Sequence, residues 1–363
     1  MNLNIPMLRP VRILLFPFSL LYALSITIRN WLYDKHMLPS HSFNLPIICI
    51  GNLSVGGTGK SPMVEFLIKK LKGHFQIAVL SRGYKRKTKG YSIANAGSTA
   101  LDIGDEPMQF HSKFPGVTIA VGEERVFAIP QLLHDHPATS AIILDDAFQH
   151  RSVRAGLNIL LTDFNNLFTR DWFLPTGDLR DEKKSYKRSE LIVVTKCSMD
   201  LSEPEKQALI REIKPQAHQE IFFSAIQYGK VYHIVEKNMM EIHSKMEVLL
   251  VTGIANPNPL KKWLEEICQT YDEISYSDHH IFSIDDLKVI LGRFEAIEET
   301  EKIILTTEKD AVRLIKFEQA LKKLPFYVVP IESVFLFNEE QKFTDIIVKF
   351  IGDFDLPTSR GSQ

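Results

Sequence analysis

Cysteine is scarce in this chain of 363 residues, and the three present, Cys49, Cys197 and Cys268, lie far apart in apolar surroundings. No C-x-x-C pair or histidine cluster accompanies them. That excludes the common zinc patterns and a disulfide framework, and leaves reduced core thiols. Net charge is lacking too. With Lys+Arg 43 against Asp+Glu 44 the formal charge is −1, so no global field draws the chain to nucleic acid, and no nucleic-acid partner is expected. There are no internal repeats. The hydrophobic and charged fractions, 45% and 24%, are those of an ordinary globular protein, and the length is more than one compact core needs, which predicts two domains.

Long apolar runs are also few, and the longest stands at the N-terminus. Val11 to Ile28 reads VRILLFPFSLLYALSITI, with Arg9 and Arg12 at its start and Arg29 and Lys35 after it. No small-residue cleavage site follows, which argues against a signal peptide. Pro17, Arg12 and the scattered Ser and Thr weaken a spanning helix. Residues 1–36 therefore read as an interfacial helix on the cytoplasmic membrane face, with Arg and Trp at headgroup level; a buried core helix is the alternative.

What the sequence does have is Gly51-Asn52-Leu53-Ser54-Val55-Gly56-Gly57-Thr58-Gly59-Lys60-Ser61-Pro62. An apolar run, Ile47 to Ile50, leads in, and Val64, Leu67, Ile68 and Leu71 at helical spacing lead out. Strand, Gly-rich turn and helix let backbone N–H groups and a helix N-terminus wrap a phosphate. Ser54, Val55, Gly56, Gly57, Thr58, Gly59, Lys60 and Ser61 form the expected nucleotide loop, Lys60 reaching the β- and γ-phosphates and Ser61 the Mg²⁺. Ser54 stands where the first glycine of the P-loop pattern is usual. A nucleoside triphosphate is the expected ligand.

Further chemistry sits at the ends of other predicted strands. Ala141-Ile142-Ile143-Leu144 ends in Asp145-Asp146, a carboxylate pair suited to holding Mg²⁺ behind a P-loop, and Gln149-His150-Arg151 follow at the same mouth. Ser81-Arg82-Gly83-Tyr84 opens a basic stretch that fits either a solvated loop or a site for a phosphorylated substrate or anionic lipid. Gly104-Asp105-Glu106-Pro107 opens a helix, where N-capping is the plain reading. Leu174 to Asp181, LPTGDLRD, supplies Arg180 to neutralise a transferring phosphoryl group. Asp278-His279-His280 precedes a helix capped by Ser283 and Asp286, and its Asp–His adjacency suits proton transfer. Thr307 to Arg313, TEKDAVR, is a charged strand-to-helix turn whose role the spacing leaves open.

Apolar β-branched runs at Ile77–Leu80, Val117–Val121, Leu157–Thr162 and Leu191–Thr195 alternate with helical patterns. They predict a P-loop NTPase-type α/β fold, a mostly parallel sheet with helices on both faces, over residues 37–225. Residues 226–240, about Tyr228-Gly229-Lys230, read as a hairpin linker. A second strand–helix series, including a helix from Ala311 to Lys322, predicts a smaller α/β domain over 241–355, with 356–363 as a loose tail.

The motifs GNLSVGGTGKSP, SRGY, GDEP, LDDAFQH, LPTGDLRD, SDHH and TEKDAVR occur in this order from Gly51 to Arg313. The set resembles the tetraacyldisaccharide 4'-kinase family of lipid A biosynthesis in Gram-negative bacteria, in which Ser54 in place of glycine is also usual. The resemblance implies an ATP-dependent kinase at the cytoplasmic face of the inner membrane, using ATP and Mg²⁺. Its lipid partner would be an acylated glucosamine disaccharide 1-phosphate, phosphorylated on the 4'-hydroxyl to give lipid IVA. It further implies Asp105 as general base aided by His279, and Asp145 and Asp146 as the Walker B carboxylates beside Ser61. Lys60 and Arg180 complete the expected catalytic set, and Arg82, Tyr84, Arg125, Gln149 and His150 are expected on the substrate side. Asp181 replaces a frequent Glu, and His280 a frequent Tyr. A monomer is the favoured form.

Two rivals are weaker. A membrane-associated switch ATPase of the deviant-Walker type carries a lysine before its glycine pair, where this chain has Val55. A metallochaperone GTPase would bring a metal-ligand cluster and an N-K-x-D segment; Thr195-Lys196-Cys197-Ser198 is only a distant echo of the latter.

Overall fold

Runs that are apolar at every position suit strands covered on both faces, and here they form the centre of a parallel sheet. The computed structural model describes residues 12–268 and 270–354; Arg9, Val11 and the expected tail 356–363 lie outside the described residues. The first eight strands in chain order are β1 (Ile47–Asn52), β2 (Ile77–Ser81), β3 (Ser92–Ile93), β4 (Thr118–Val121), β5 (Ala141–Asp145), β6 (Leu157–Asp163), β7 (Leu191–Thr195) and β8 (Glu220–Tyr228). A second set follows: β9 (Val231–His233), β10 (Met239–Met240), β11 (Glu247–Thr252), β12 (Thr270–Ser275), β13 (Lys302–Thr307) and β14 (Phe326–Val329). The last strand, β15 (Ile331–Phe335), rejoins the first set.

The larger sheet has nine strands in the order β15-β8-β7-β6-β1-β5-β2-β4-β3, and the smaller has six in the order β10-β9-β14-β13-β11-β12. In the larger sheet the strands from β8 to β4 pair in parallel, while β3 and β15 are antiparallel edges. Every residue of β1, β2, β5 and β7 is buried. Two apolar layers cover its faces, one around Ile47, Leu80, Leu144 and Phe148, the other around Ile50, Val64, Leu67 and Phe110. The carboxyl ends of β1, β2 and β5 open on one edge, and the P-loop, Arg82 and Asp146 follow from those ends.

The hairpin expected about Tyr228-Gly229-Lys230 does not form. β8 pairs with β7 and β15, whereas β9 pairs with β10 and β14, so the chain passes from one sheet into the other at this turn. It returns at Pro330, and the two crossings touch, Gly229 N–H donating to the Pro330 carbonyl (3.0 Å). The smaller sheet is thus confined between β9 and β14. β15 and the helix Glu340–Gly352 belong with the larger sheet, where Phe343, Ile347 and Ile351 pack in the layer that holds Phe66 and Phe335. The expected helix from Ala311 to Lys322 is also different. It begins earlier, at Glu308, because the Thr307 hydroxyl caps it by accepting from Asp310 N–H (3.2 Å). It then gives way to a 3₁₀ turn, Ile315–Phe317, before a short helix, Glu318–Leu321.

The N-terminal helix, Phe16–Asp34, carries Pro17 in its first turn, where the missing N–H costs nothing. Its polarity is reversed relative to a soluble helix. Phe18, Leu21 and Leu24 are 61%, 65% and 57% exposed, whereas Ser19 and Asn30 are buried. The inner stripe is hydrogen-bonded to LPTGDLRD and the residue that follows it. Ser19 Oγ donates to Thr176 Oγ1 (2.7 Å), Tyr22 OH to the Arg180 carbonyl (3.2 Å), Thr27 Oγ1 to Glu182 (2.9 Å) and Asn30 Nδ2 to Asp181 (2.7 Å). A core helix would bury its apolar face; this one buries the polar face and presents the apolar one. Together with the 3₁₀ turn before it, as Ile13–Asp34, it is long and apolar enough to cross a membrane by length and composition alone.

Candidate active site

The nucleotide loop is assembled from both sides. Behind it, Val55 N–H donates to the Asp178 carbonyl (2.7 Å), and Arg180 N–H to the Leu53 carbonyl (2.8 Å), so LPTGDLRD braces the P-loop. Beneath it, Thr195 Oγ1 donates to the Thr58 carbonyl (2.9 Å). Gly56 and Gly59 have φ of +108° and +81°, a left-handed backbone that side chains resist, and a Cβ at Gly56 or Gly57 would meet nothing within 4 Å. The loop therefore has room above it. Thr58 Oγ1 is buried without a hydrogen-bond partner, and Lys60 opens the helix Lys60–Leu71. An open glycine cradle, a buried hydroxyl lacking a partner and a lysine at a helix N-terminus fit a polyphosphate.

Lys60 Nζ lies 3.4 Å from Asn52 Oδ1 and 3.8 Å from Asp146 Oδ1, and burial holds its pKa below the ordinary lysine value. Asp145 and Asp146, though adjacent, are set apart by their surroundings. Asp145 is buried and accepts from Ser81 Oγ (3.0 Å); burial and the neighbouring Asp146 push it up to about 6. Burial also acts to raise Asp146, but Lys60 and Arg180 outweigh it and bring it down to about 2. The Arg180 guanidinium spans Asp146 and Asn52 Oδ1, the latter at 2.5 Å. Among the described residues no group of three His, Cys, Asp or Glu side chains is placed to hold a metal. A hard cation here would draw on Ser61, one or both Asp and phosphate oxygens, the usual manner of Mg²⁺.

The GDEP loop comes to the same edge. Gly104, at φ +94°, lets its backbone approach Gly83, where an added Cβ would stand 3.1 Å from the Gly83 Cα. Asp105 begins the helix Asp105–Lys113, and from the smaller sheet His279 Nδ1 approaches its Oδ2 to 2.7 Å. Arg313 Nε lies 3.1 Å from the same oxygen. His279 has φ +61°, and its ring meets Tyr84 edge-on at 5.8 Å. His280 is turned away; its Nε2 is 3.0 Å from the capping Asp286, and it stacks on Tyr276.

Beside Asp146 a cleft of about 300 Å³ is lined by Tyr22, Ile26, Arg29, Arg82, Gln149, His150 and Arg180. With Tyr84 placed against His279, three of the five residues expected on the substrate side, Arg82, Gln149 and His150, line the cleft. Arg125 does not. It is 1% exposed, and its guanidinium donates to the carbonyls of Gly122 (2.7 Å) and Glu123 (3.2 Å). It acts as a prop behind Asp145, because a guanidinium can be buried where backbone carbonyls satisfy it. His150 is pushed down to about 4 by burial and by Arg125 and Arg82, so it is a neutral hydrogen-bonding group at pH 7. Asp181, fully buried against Arg188 (3.1 Å) and Asn30, does not face the mouth.

Several residues here were not singled out from the sequence. Asn52 links Lys60 to Arg180, Ser81 holds Asp145, and Tyr22, Ile26 and Arg29 bring the N-terminal helix into the cleft. TEKDAVR gains a place as well. Lys309 pairs with Glu106 (2.9 Å), Arg313 with Asp105, and Glu308 with Lys113 (2.5 Å), which also pairs with Glu65 (2.5 Å).

A phosphate loop, paired strand-end carboxylates and a facing carboxylate–histidine pair define a P-loop phosphotransferase. Comparison narrows the class. The profile of the family described as tetraacyldisaccharide-1-P 4'-kinase matches residues 11–352. A tetraacyldisaccharide 4'-kinase of Bacteroides thetaiotaomicron is 43% identical over 351 residues, covering 93% of this chain and 92% of the relative. One of Flavobacterium johnsoniae is 45% identical over 344 residues, covering 94% and 97%. The crystal structure of LpxK from Aquifex aeolicus in complex with ATP superposes with a TM-score of 0.75 at 28% identity, over 94% of this chain and 99% of that one. The chain belongs to the tetraacyldisaccharide 4'-kinase family. It is an ATP-dependent kinase, as the motif set implied, and the expected P-loop α/β fold holds.

Proposed function

We propose that the chain transfers the γ-phosphoryl group of ATP to the 4'-hydroxyl of tetraacyldisaccharide 1-phosphate, forming lipid IVA at the cytoplasmic face of the inner membrane. The observation that carries this reading is the cleft in which Tyr22, Ile26 and Arg29 of the outward-apolar helix face Asp146, Arg180 and His150. A lipid whose acyl chains stay in the membrane would enter with its sugar beside the phosphate loop. The exposed apolar side of the helix, with Trp172 meeting Phe16 at 5.8 Å, would lie in the headgroup region, while the docked polar side favours lying in the interface over spanning.

In this reading Lys60 and the loop N–H groups hold the triphosphate. Ser61, Asp145 and Asp146 would hold Mg²⁺, which supplies charge neutralisation at the phosphates. Arg180, tethered by Asn52, would neutralise the transferring group. Asp105 would accept the hydroxyl proton, fixed by His279 and Arg313. Arg82, Tyr84, Gln149 and His150 would orient the sugar and its charge. The test is incubation with labelled ATP and a panel of lipid A precursors. Label should appear on tetraacyldisaccharide 1-phosphate and not with the Lys60→Ala variant; label on no precursor, or turnover by folded Lys60→Ala, overturns the assignment.

A further inference from the structure

TEKDAVR, whose role its spacing leaves open, meets more than the GDEP helix. In the smaller sheet β13, β11 and β12 are parallel neighbours. Their carboxyl ends lead into Thr307–Arg313, Gly253 and Asp278–His280 respectively. One buried polar network joins the three ends.

Asp310, with no exposed surface, sits at its centre. Its Oδ2 accepts from Gly253 N–H (3.0 Å) and Thr307 Oγ1 (2.7 Å), and its Oδ1 from Arg313 Nη1 (3.2 Å). Arg313 Nη1 also donates to the carbonyls of His280 (3.2 Å) and Gly253 (3.4 Å). The same Gly253 carbonyl accepts from His279 N–H (3.1 Å). A Cβ on Gly253 would stand 3.0 Å from Asp310 Oδ1 and 3.4 Å from the His280 Cβ, so helix, strand end and histidine turn are in direct contact.

His279 needs such a frame. Its φ of +61° is one that a histidine keeps only where its surroundings hold it. On the other side Arg313 Nε lies 3.1 Å from Asp105 Oδ2, the oxygen that His279 Nδ1 also approaches. Arg313 thus grips both members of the pair, the carboxylate through Nε and the backbone of the histidine turn through Nη1. Buried ion networks are seldom more stable than apolar packing of the same volume, so stability alone does not account for this one.

Given the phosphotransfer reading above, we propose that Asp310 and Arg313 are positioning residues for the reaction. They hold His279 in its left-handed turn and Asp105 against it, so the proton-accepting pair is assembled from the two sheets only while Arg313 bridges them. Both act through Asp105 and His279 rather than on nucleotide or acceptor.

The experiment measures kcat and KM for ATP with the full chain and saturating lipid acceptor, in the native and the Asp105→Ala backgrounds. Arg313→Ala should lower kcat by about 10²-fold, the cost of misplacing a reacting group by about 1 Å, with KM for ATP unchanged. Arg313→Lys should recover only part of this, since one ammonium cannot span the carboxylate and the carbonyls that the planar fork reaches. Asp310→Asn keeps an oxygen for Gly253 N–H but not the charge that seats Arg313, and should lower kcat by less. In the Asp105→Ala background Arg313→Ala should cost no more than about twofold further, because the group it aligns is gone. A residue that merely holds the smaller sheet together would cost the same factor in both backgrounds. Native kcat in folded Arg313→Ala, equal factors in the two backgrounds, or a raised KM for ATP with kcat kept overturns the proposal. Should Arg313→Ala not fold, Arg313→Lys is compared in the same two backgrounds, and equal factors there overturn it alone. Failure of the phosphotransfer reading shows separately, as no transfer of label by the native chain.

Discussion

Two seams close on the mouth of the larger sheet, and they are built from different materials. The N-terminal helix meets LPTGDLRD and Glu182 mainly through neutral donors, Ser19, Tyr22, Thr27 and Asn30, two of them given to the carboxylates of Glu182 and Asp181, with one ion pair, Arg12 to Asp178 (2.8 Å), at its start. The smaller sheet meets the GDEP helix through charges: Asp105 with His279 and Arg313, Glu106 with Lys309, and Lys113 between Glu65 and Glu308. Hydrogen bonds from neutral donors respond less to salt than ion pairs do, whereas buried ion pairs fix geometry at a desolvation cost and respond to proton uptake. The first seam is a fixed mount for an entrance; the second aligns a proton acceptor and carries its electrostatics with it.

The largest expected effect lies in the charged seam. Asp105→Ala should lower kcat by about 10²–10⁴-fold, the usual worth of a positioned base, with ATP affinity nearly intact. His279→Ala should cost less, and the double variant should fall well short of the product of the two losses. Fully multiplicative losses, or a large fall in ATP binding for Asp105→Ala, would separate the two residues.

Next comes the neutral seam. Deleting residues 1–34 should abolish flotation with liposomes and depress kcat/KM on long-chain lipid acceptor, since the outward apolar side supplies the attachment. Undiminished flotation of the truncated chain would reassign the helix to the protein core. A finer cut is Asn30→Ala, which strips a donor from the fully buried Asp181 and should lower stability by about 1–3 kcal/mol in denaturant unfolding. That loss should differ little between low and moderate salt.

The smallest effect distinguishes the seams by pH. Burial and Glu308 push Glu65 up to about 7 from an ordinary value of 4.5. A carboxyl raised in the folded state stabilises fully below its unfolded value, and that contribution is lost as pH rises through about 7. The native chain should therefore lose Tm between pH 6 and pH 8 more steeply than Glu65→Gln, whose amide keeps a neutral partner in place. Equal slopes would show that the Glu65–Lys113–Glu308 cluster holds no extra proton.

What the sequence made legible was local. The P-loop, the paired Asp145 and Asp146, and the buried parallel strands announce themselves within a dozen residues, because loop geometry and strand periodicity are properties of neighbours. What it hid was pairing at a distance. Tyr228-Gly229-Lys230 between two apolar runs looks like a hairpin turn, yet the partners of β8 and β9 come from different sheets, and no short pattern specifies that. Arg125 was expected on the substrate side; its burial instead depends on the carbonyls of Gly122 and Glu123 being aimed at it. The reversed face of the N-terminal helix could be read as apolar but not as docked, since its hydrogen-bond partners lie some 150 residues away.

The double crossing at Gly229 and Pro330 has a consequence for how the molecule is made. The smaller sheet is inserted into the larger one, whose last strand and covering helix are the final described parts of the chain. As synthesis proceeds from the N-terminus, the smaller sheet emerges while Phe66 and Phe222 still lack Phe335 and Phe343. The phosphate-binding layer is sealed last, although its loop is made early. A nascent chain that has exposed Gly51 to Ser61 is therefore roughly 290 residues from a complete core, which closes with the helix ending at Gly352, and an early release near residue 330 would leave a well-formed smaller sheet attached to an unfinished nucleotide layer.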